Sequence, residues 1–169
     1  MASPADINLI CCTSTDTETD VTGGGISYTT NDTALNTDDE RTSHPITIPA
    51  ADQAYSYEKW LKWQCGATEP DTQCTNFKFW GSGEADIESA KILDYYKVTV
   101  TRVDPALSTT NASYTTVKTA TSAAKVDVAG TLNTSGEGTS HVVMMLEVAA
   151  GSSQGNITQQ TYNYQYDEN

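Results

Sequence analysis

The amino-acid sequence predicts an all-β protein, either a β-sandwich or a jelly roll. Charged residues make up 18% of its 169 residues, below the roughly 25% of ordinary soluble domains, while threonine, serine and asparagine are abundant. Threonine suits strands, and serine and asparagine suit the turns between them. Short alternating runs recur about every 10 residues, with polar turns between them and little helical periodicity.

The N-terminal region is predicted to form an extended arm, 1–43, in front of a β-sandwich domain, 44–169. INLICC, at 7–12, resembles a short strand. The rest of the arm is rich in Thr, Asp and Gly and has few large apolar residues, so we expect loop or extended chain with one brief strand at 26–28. PITIP, at 45–49, predicts a short strand bracketed by prolines, which are tolerated at strand ends.

An aromatic segment, 57–83, follows and holds all three tryptophans, both phenylalanines and two of the four cysteines. The runs 57–65 and 74–80 alternate with a period of two, which predicts a strand with one apolar face in each. The turn-rich connection predicts a hairpin, or a pair of strands with a longer loop. The residues expected to face the core are Tyr57, Leu61, Trp63, Cys65, Phe77 and Phe79.

The C-terminal half continues the alternation. A helical turn is expected within 84–93, followed by a strand at 95–103 that places Tyr96, Val98 and Val100 on one face. Weaker strands are predicted within 113–121 and 125–132. HVVMMLEVA, 141–149, is apolar on both faces, which indicates a strand buried on both sides. The last run, 157–168, alternates Tyr162, Tyr164 and Tyr166 with polar residues.

The net charge of −13 and the pI near 4.2 restrict the choice of partner. Nucleic acid is a polyanion, and the nine Lys and Arg residues are scattered, so we expect no direct nucleic-acid binding. No apolar run approaches the roughly 18 residues of a membrane span, so no membrane contact is expected. The N-terminus lacks the features of a signal peptide, which predicts synthesis in the cytoplasm without a cleaved signal.

Residues with catalytic or metal-binding spacing are scarce, so the sequence predicts a protein that is not an enzyme and has no cofactor. Its two histidines, His44 and His141, fall at predicted strand starts and outside any ligand spacing. Calcium is the one alternative that the pattern leaves open. Asp16, Glu18 and Asp20 alternate, so an extended chain would turn three carboxylates to one side.

Two pairs of residues are candidate sites. Cys65 and Cys74 flank a turn-rich loop and are candidates for a disulfide, whereas the neighbouring Cys11 and Cys12 would point to opposite faces of a strand. Trp60 and Trp80 lie on the polar faces of their strands. Two roles remain open for these rings: stacking on sugar, or packing in the core or at a subunit interface, which the pattern favours.

Three stretches carry a resemblance to a known family: YEKW at 57–60, NFKFW at 76–80 and QTYNYQYDE at 160–168. Together they span most of 54–169, and the chain resembles the small β-sandwich virion structural proteins of tailed bacteriophages. The resemblance implies a capsid decoration or cement protein, made in the host cytoplasm and located on the surface of the virion. Its implied partners are further copies of itself and the major capsid or tail protein.

Three other functions are open at this point. Within the same class, the chain would be a component of the phage tail or baseplate. From different classes come a carbohydrate-binding or host-attachment module, which would use the two tryptophans, and a self-polymerising filament subunit. The filament would form by strand exchange through the N-terminal arm.

Overall fold

The computed structural model of the chain describes residues 6–14, 17–32, 42–66, 70, 73–82, 91–133, 136–154 and 160–169. In these ranges the chain forms ten β-strands and a short 3-10 helix at Val117–Thr119. The strands are β1 Ile7–Cys12, β2 Glu18–Asp20, β3 Gln53–Tyr55, β4 Lys59–Cys65, β5 Cys74–Gly81, β6 Ile92–Thr99, β7 Thr115–Thr116, β8 Val126–Val128, β9 His141–Ala149 and β10 Tyr162–Glu168.

Seven strands form a large antiparallel sheet. Its order is β2-β1-β4-β9-β6-β7, and β3 pairs with β9 as well. The central strand β9 is buried along almost its whole length, as its continuous apolar run predicts. It pairs with β6 over eight residues, from Ile92 opposite Val148 to Thr99 opposite His141.

The remaining strands form a small antiparallel sheet of order β10-β5-β8. One face of each sheet contributes to a shared core, in which Phe77 and Phe79 of the small sheet join Leu61, Trp63 and Met144 of the large sheet. The predicted all-β class is therefore confirmed. The finer assignment to a sandwich or a jelly roll stays a prediction.

The last strand, β10, alternates as the sequence predicts. Tyr162, Tyr164 and Tyr166 of β10 all pack against the shared core. Phe79 stacks on Tyr162 with ring centroids 5.9 Å apart, and Phe77 lies 6.1 Å from Tyr166. Alternation with a period of two thus places every second side chain of β10 inward, as expected for a strand with one buried face.

The N-terminal region is not a separate arm where the structure describes it. Strand β1 lies inside the large sheet and pairs with β4 over six residues, from Ile7 opposite Cys65 to Cys12 opposite Trp60. Ile7 and Ile10 are buried. The division into 1–43 and 44–169 stays a prediction, while the short apolar run at 7–12 adds a strand to the large sheet next to β4.

Two predicted strands are absent from the described ranges that contain them. Residues 26–28 and 45–49 both run as irregular chain. Their apolar side chains are nevertheless used: Tyr28 packs against the shared core, and Ile46 and Ile48 pack against Ile92, Leu146 and Val148. The apolar pattern of these residues therefore reflects burial of their side chains, and their backbone forms no strand.

The aromatic segment does not form a hairpin. Strand β4 belongs to the large sheet and β5 to the small sheet, so the two strands lie in different sheets of the shared core. Trp63 and Phe77 meet across that core with ring centroids 5.3 Å apart. The alternative of two strands with a longer loop is therefore the one that fits.

The prediction for 95–103 is wrong at its end, because β6 stops at Thr99 and Val100 is exposed. The helical turn expected at 84–93 lies largely outside the described residues, and its last two residues begin β6. Among the residues that the structure describes, no helix is long and apolar enough to span a membrane.

The outer face of the large sheet, which points away from the small sheet, is covered by the chain between β6 and β7. The backbone N–H of Glu58 donates to the carbonyl of Ala106 at 2.9 Å, and that of Ser108 donates to the carbonyl of Ser56 at 3.2 Å. Tyr114 packs on the outer-face cluster of Ile10, Cys12, Trp60 and Val143. This cover produces a second buried layer, which positions the polar groups described next.

Candidate functional site

The most highly connected polar group lies on the outer face of the large sheet and is here called the Glu58 network: Glu58, Trp60, Lys97 and Tyr114. The Glu58 carboxylate accepts hydrogen bonds from Trp60 Nε1 at 2.8 Å and from Lys97 Nζ at 3.0 Å, and a third from the Tyr114 hydroxyl. Lys97 Nζ also lies 4.4 Å from the centroid of the Tyr114 ring, a cation–π contact. The network ties β4 and β6 to the covering chain.

The electrostatics of Glu58 follow from these donors. Burial by itself pushes the pKa of its carboxyl up, but the hydrogen bonds from Tyr114, Trp60 and Lys97 outweigh burial and the pKa is lowered. The carboxylate is therefore charged at neutral pH and has its acceptor capacity taken up by three donors. An anion in this state holds structure together, and it is a poor general base.

A second ion cluster lies on the same face and centres on the buried Lys62, whose carboxylate partners are exposed. Its ammonium group forms ion pairs with Glu18 of β2 and with Glu137. Gln64 Nε2 also donates to Glu137 Oε1 at 3.1 Å. Burial lowers the pKa of Lys62, yet the bonds to Glu137 and Glu18 outweigh burial and the pKa is raised. The cluster joins three parts of the chain that are far apart in sequence.

His141 lies at the start of β9, close to the Lys62 cluster, and is buried with 5% exposed. Its ring meets Trp60 edge-on, with centroids 5.5 Å apart. Neither ring nitrogen has a hydrogen-bond partner among the residues that the structure describes. Burial lowers the pKa of His141, and the positive charges of Lys62 and Arg102 lower it further. The imidazole is therefore neutral at pH 7, and no hydrogen-bonded nucleophile makes it a general base.

A different polar group joins the inner faces of the two sheets. The Tyr162 hydroxyl of β10 donates to Asp94 Oδ2 of β6 at 2.8 Å. The hydroxyls of Tyr28 and Tyr162 lie 3.2 Å apart. Burial raises the pKa of the Asp94 carboxyl, and the bond from Tyr162 offsets only part of that rise. A buried carboxyl with few donors therefore sits in an otherwise apolar core.

All four cysteines are buried. Cys11 packs in the shared core and Cys12 on the outer face, as their neighbouring positions on a strand predict. Burial raises the pKa of Cys11 to about 12 and also raises the pKa of Cys12 and Cys74, so these thiols stay protonated and unreactive at neutral pH.

The predicted disulfide between Cys65 and Cys74 is not tested by this arrangement and stays a prediction. Cys65 ends β4 in the large sheet and Cys74 begins β5 in the small sheet. Both thiols belong to the core that the sheets share. A bond between them would therefore join the two sheets instead of closing a hairpin.

The two candidate tryptophans have different surroundings. Trp60 is only 1% exposed and is covered by Glu58, Lys97 and Tyr114, so in this structure it offers no ring face to a sugar or a second subunit. Trp80 is half-buried on the outer face of the small sheet, where Lys125 Nζ lies 4.5 Å from its ring centroid. The two rings lie on opposite outer faces, so they do not form one platform. The subunit contact at Trp80 stays a prediction.

The calcium alternative finds no preformed site among the described residues, in which no three His, Cys, Asp or Glu side chains are grouped to hold a metal. Of the three carboxylates on which it rested, Asp16 lies outside those residues. Glu18 is paired with Lys62, and Asp20 accepts a hydrogen bond from the backbone N–H of Thr22 at 2.8 Å. The calcium alternative stays untested.

The fold and its polar clusters define an all-β protein with two antiparallel sheets and a buried ionic layer. The chain matches no protein-family model, no curated protein and no solved structure.

Sequence reasoning missed the buried charges. Lys59 and Lys62 occupy a strand with apolar neighbours and are almost completely buried, and Lys59 Nζ lies 3.4 Å from the carbonyl oxygen of Asn31. The one available signal was the placement of lysines within an aromatic strand. That signal does not distinguish a solvated face from a covered one, because the cover comes from a distant part of the chain.

Proposed function

We propose that the chain is a structural subunit of a tailed-phage virion, most consistent with a capsid decoration protein that stabilises the shell. Its work would be mechanical: a rigid two-sheet body would dock on the shell and hold neighbouring shell proteins together. The sequence resemblance and the acidic surface of the chain support this function.

The observation that carries the proposal is an acidic exterior, on which exposed carboxylates outnumber exposed Lys and Arg side chains. Among the described residues, nine carboxylate residues are exposed: Asp6, Glu18, Asp20, Asp52, Asp104, Asp127, Glu137, Asp167 and Glu168. Only three basic residues are exposed there: Lys91, Lys118 and Lys125. Such a surface favours a partner with a basic patch and disfavours the phosphate backbone of nucleic acid.

The internal use of the cations supports the same reading. Lys97 is paired with the buried carboxylate of Glu58, and the buried Lys62 is paired with Glu18 and Glu137. Arg102 Nη2 donates to the carbonyl of Thr13 at 3.0 Å, and Lys91 Nζ donates to the carbonyl of Gly151 at 2.6 Å. These contacts join separate parts of the chain into one body. A shell protein under internal pressure benefits from such rigidity.

The experiment uses particles banded on a density gradient from a lysate of the culture that produces the chain. An antibody against the purified chain would be used to probe the band, and particles stripped of the chain would be titrated with purified protein. We expect the chain to band with the particles, to rebind saturably and to be released by high salt, because an acidic docking surface is screened by ions. Absence from the band would overturn the proposal.

Electron microscopy and native mass spectrometry of the purified chain separate the alternatives. A discrete monomer or small oligomer fits a decoration protein, whereas spontaneous long fibres would favour the filament subunit. Labelling confined to the tail of the particle would favour the tail or baseplate component. For the carbohydrate-binding alternative, Trp80→Ala is the informative variant, since a glycan bound through that ring would be lost with it.

A further inference from the structure

The chain between β6 and β7, 100–114, lies over the outer face of the large sheet and is here called the strap. The structure describes all of its residues, and among them only Pro105 is buried. Its large aliphatic side chains are exposed: Val100, Val103 and Leu107 have 65%, 56% and 47% of their surface in water. Burial of aliphatic surface therefore contributes little to holding the strap on the sheet.

Most of the contacts that hold the strap are polar. Two backbone hydrogen bonds join its middle to 56–58. Nearer its end, Asn111 Nδ2 donates to the carboxylate of Glu147 at 2.7 Å. The Tyr114 hydroxyl donates to Glu58, and the Tyr114 ring packs on the outer-face cluster. Because water replaces such hydrogen bonds at a small net loss, we expect the strap to open locally while the sheet beneath it stays folded.

His141 lies beside the residue from which the strap begins. In the register of β6 and β9 it is opposite Thr99, the last residue of β6. Arg102 of the strap donates to the carbonyl of Thr13, which follows β1. Strands β9 and β4 lie between β6 and β1 in the sheet. The start of the strap therefore passes over β9, the strand that carries His141.

The surroundings of the His141 imidazole disfavour a proton while the strap is closed. The ring is buried, and neither nitrogen has a hydrogen-bond partner in the described part of the chain. The charged groups that face it are Lys62 of β4, Arg102 of the strap and Glu137 of the chain before β9. Cys12 of β1, in the outer-face cluster, stays a neutral thiol because burial raises its pKa. A protonated imidazole would face two cations and one carboxylate, which favours a state in which the strap has moved away.

We propose that protonation of His141 opens the strap and thereby exposes Trp60 and Val143 of the outer-face cluster at mildly acidic pH. Burial, and then Lys62 and Arg102, lower the pKa of His141 below its ordinary value of 6.5 in the closed state. The closed strap is therefore favoured above pH 6.5, and this preference is lost as pH falls through the closed-state pKa. Such a response is a property of the chain alone and does not depend on the proposed function.

Amide hydrogen exchange of the full chain, followed by NMR at pH 7 and pH 5.5, tests the proposal. Dividing each rate by the intrinsic rate at the same pH leaves the opening equilibrium. The informative amides are those of Glu58 and Ser108, whose hydrogen bonds join the strap to 56–58. An imidazole that returns to its ordinary pKa in the open state raises their opening equilibrium by up to about eightfold between the two pH values. The amides of β9 are the internal reference and should keep their protection.

The variant that removes the titrating group is His141→Phe, which keeps an aromatic ring against Trp60. Its strap amides should show no rise in opening between pH 7 and pH 5.5. The matched control is His44→Phe, the same substitution at an exposed position, and it should respond as the wild type does. The absence of a rise in the wild type, or an equal rise in His141→Phe, would overturn the proposal. An equal rise at the β9 amides would overturn it as well, because the whole sheet would then be opening.

A second variant makes the test independent of the packing of the phenylalanine ring. Arg102→Gln removes one of the two cations that face His141 and keeps an N–H donor for the Thr13 carbonyl. Protonation of the imidazole is then less unfavourable in the closed state, so the rise in opening should be smaller than in the wild type. A rise as large as that of the wild type would show that His141 does not act on the strap through Arg102, and the proposed coupling would be wrong.

Discussion

The two faces of the large sheet bury carboxylates under opposite conditions. On the outer face, Glu58 receives hydrogen bonds from three side chains, and the pKa of its carboxyl is lowered despite burial. On the inner face, Asp94 receives one side-chain bond, from Tyr162, and its pKa is raised. Burial acts on both groups in the same direction, so the number and charge of the donors decide the outcome.

The difference reflects what covers each face. The inner face meets another sheet, whose tyrosines and phenylalanines offer few donors. The outer face is covered by polar chain between β6 and β7, which brings Tyr114 to Glu58 and Asn111 to Glu147. Asn111 Nδ2 donates to Glu147 Oε2 at 2.7 Å. An irregular cover can place donors where a buried charge needs them, and a pleated apolar face does so less readily.

The largest effect expected from this comparison is at Glu58. Glu58→Ala would leave Lys97, Trp60 Nε1 and the Tyr114 hydroxyl without their acceptor, so we expect the free energy of unfolding to fall by about 3 kcal/mol. Urea unfolding at pH 7 measures it. Asp104→Ala, which removes an exposed carboxylate, should change it by less than about 0.5 kcal/mol. A loss below about 1 kcal/mol for Glu58→Ala would show that the network contributes little.

Asp94 should behave in the opposite way. Asp94→Asn keeps an acceptor for Tyr162 and removes a buried charge, so at pH 7 we expect a stability gain of about 1 kcal/mol. Because the folded pKa of Asp94 is raised, its contribution is fully present below the unfolded value near 3.8 and is lost as pH rises through the folded pKa. The gain from Asp94→Asn should therefore shrink as pH falls towards 4. A variant less stable than the wild type at pH 7 would contradict this account.

A smaller effect is expected at His141, and it concerns the slope of stability against pH. Its folded pKa is depressed below 6.5, so its contribution is present above pH 6.5 and is lost as pH falls through the folded pKa. The facing groups are Lys62 and Arg102, which oppose protonation, and Glu137, which favours it. Between pH 7 and pH 5, we expect the free energy of unfolding to fall by up to about 1 kcal/mol more in the wild type than in His141→Phe.

The measurement at His141 is cleanest in the Asp94→Asn background, because Asp94 titrates with the opposite sign. Thermal or urea unfolding of Asp94→Asn and of Asp94→Asn/His141→Phe at several pH values gives the two slopes of stability against pH. Parallel slopes with and without the imidazole would remove His141 from the acid response. The absolute stability of His141→Phe does not enter the comparison, since the larger ring also changes the packing against Trp60.

The smallest effect is expected where a charge pair lies outside both buried layers. Lys78 and Asp127 form an ion pair on the small sheet, and the Asp127 side chain is 81% exposed. A double-mutant cycle with Lys78→Ala and Asp127→Ala should give a coupling energy of about 0.3 kcal/mol, reduced further by added salt. A coupling above about 1 kcal/mol would mean that exposure is a poor guide to the strength of ion pairs in this protein.

Several elements could be predicted because they depend on local pattern. Alternation with a period of two identified β4, β5 and β10, and the continuous apolar run identified β9 with both faces buried. It also placed Cys11 and Cys12 on opposite faces. In each case the information lies within a few neighbouring residues, because successive side chains of a strand point to opposite sides.

Other elements could not be predicted because they depend on pairing over long distances in sequence. The connection between β4 and β5 looks like a hairpin locally, yet the strands pair with β1 and β9 in one sheet and with β8 and β10 in the other. Residues 45–49 have a strand-like pattern and find no strand to pair with. An apolar pattern predicts which side chains are buried. It predicts hydrogen-bonded strand pairing only where a neighbouring strand has a free edge.

The sequence by itself determined the all-β class, the inward side chains of its clearest strands and the acidic net charge. Only the tertiary structure decided that β1 joins the large sheet, that Trp60 is covered, and that Lys59 and Lys62 are buried. The physical reason is that strand alternation is a property of neighbouring residues. Burial of a charge, in contrast, depends on donors and acceptors that the fold brings from distant segments, as Tyr114 and Lys97 are brought to Glu58.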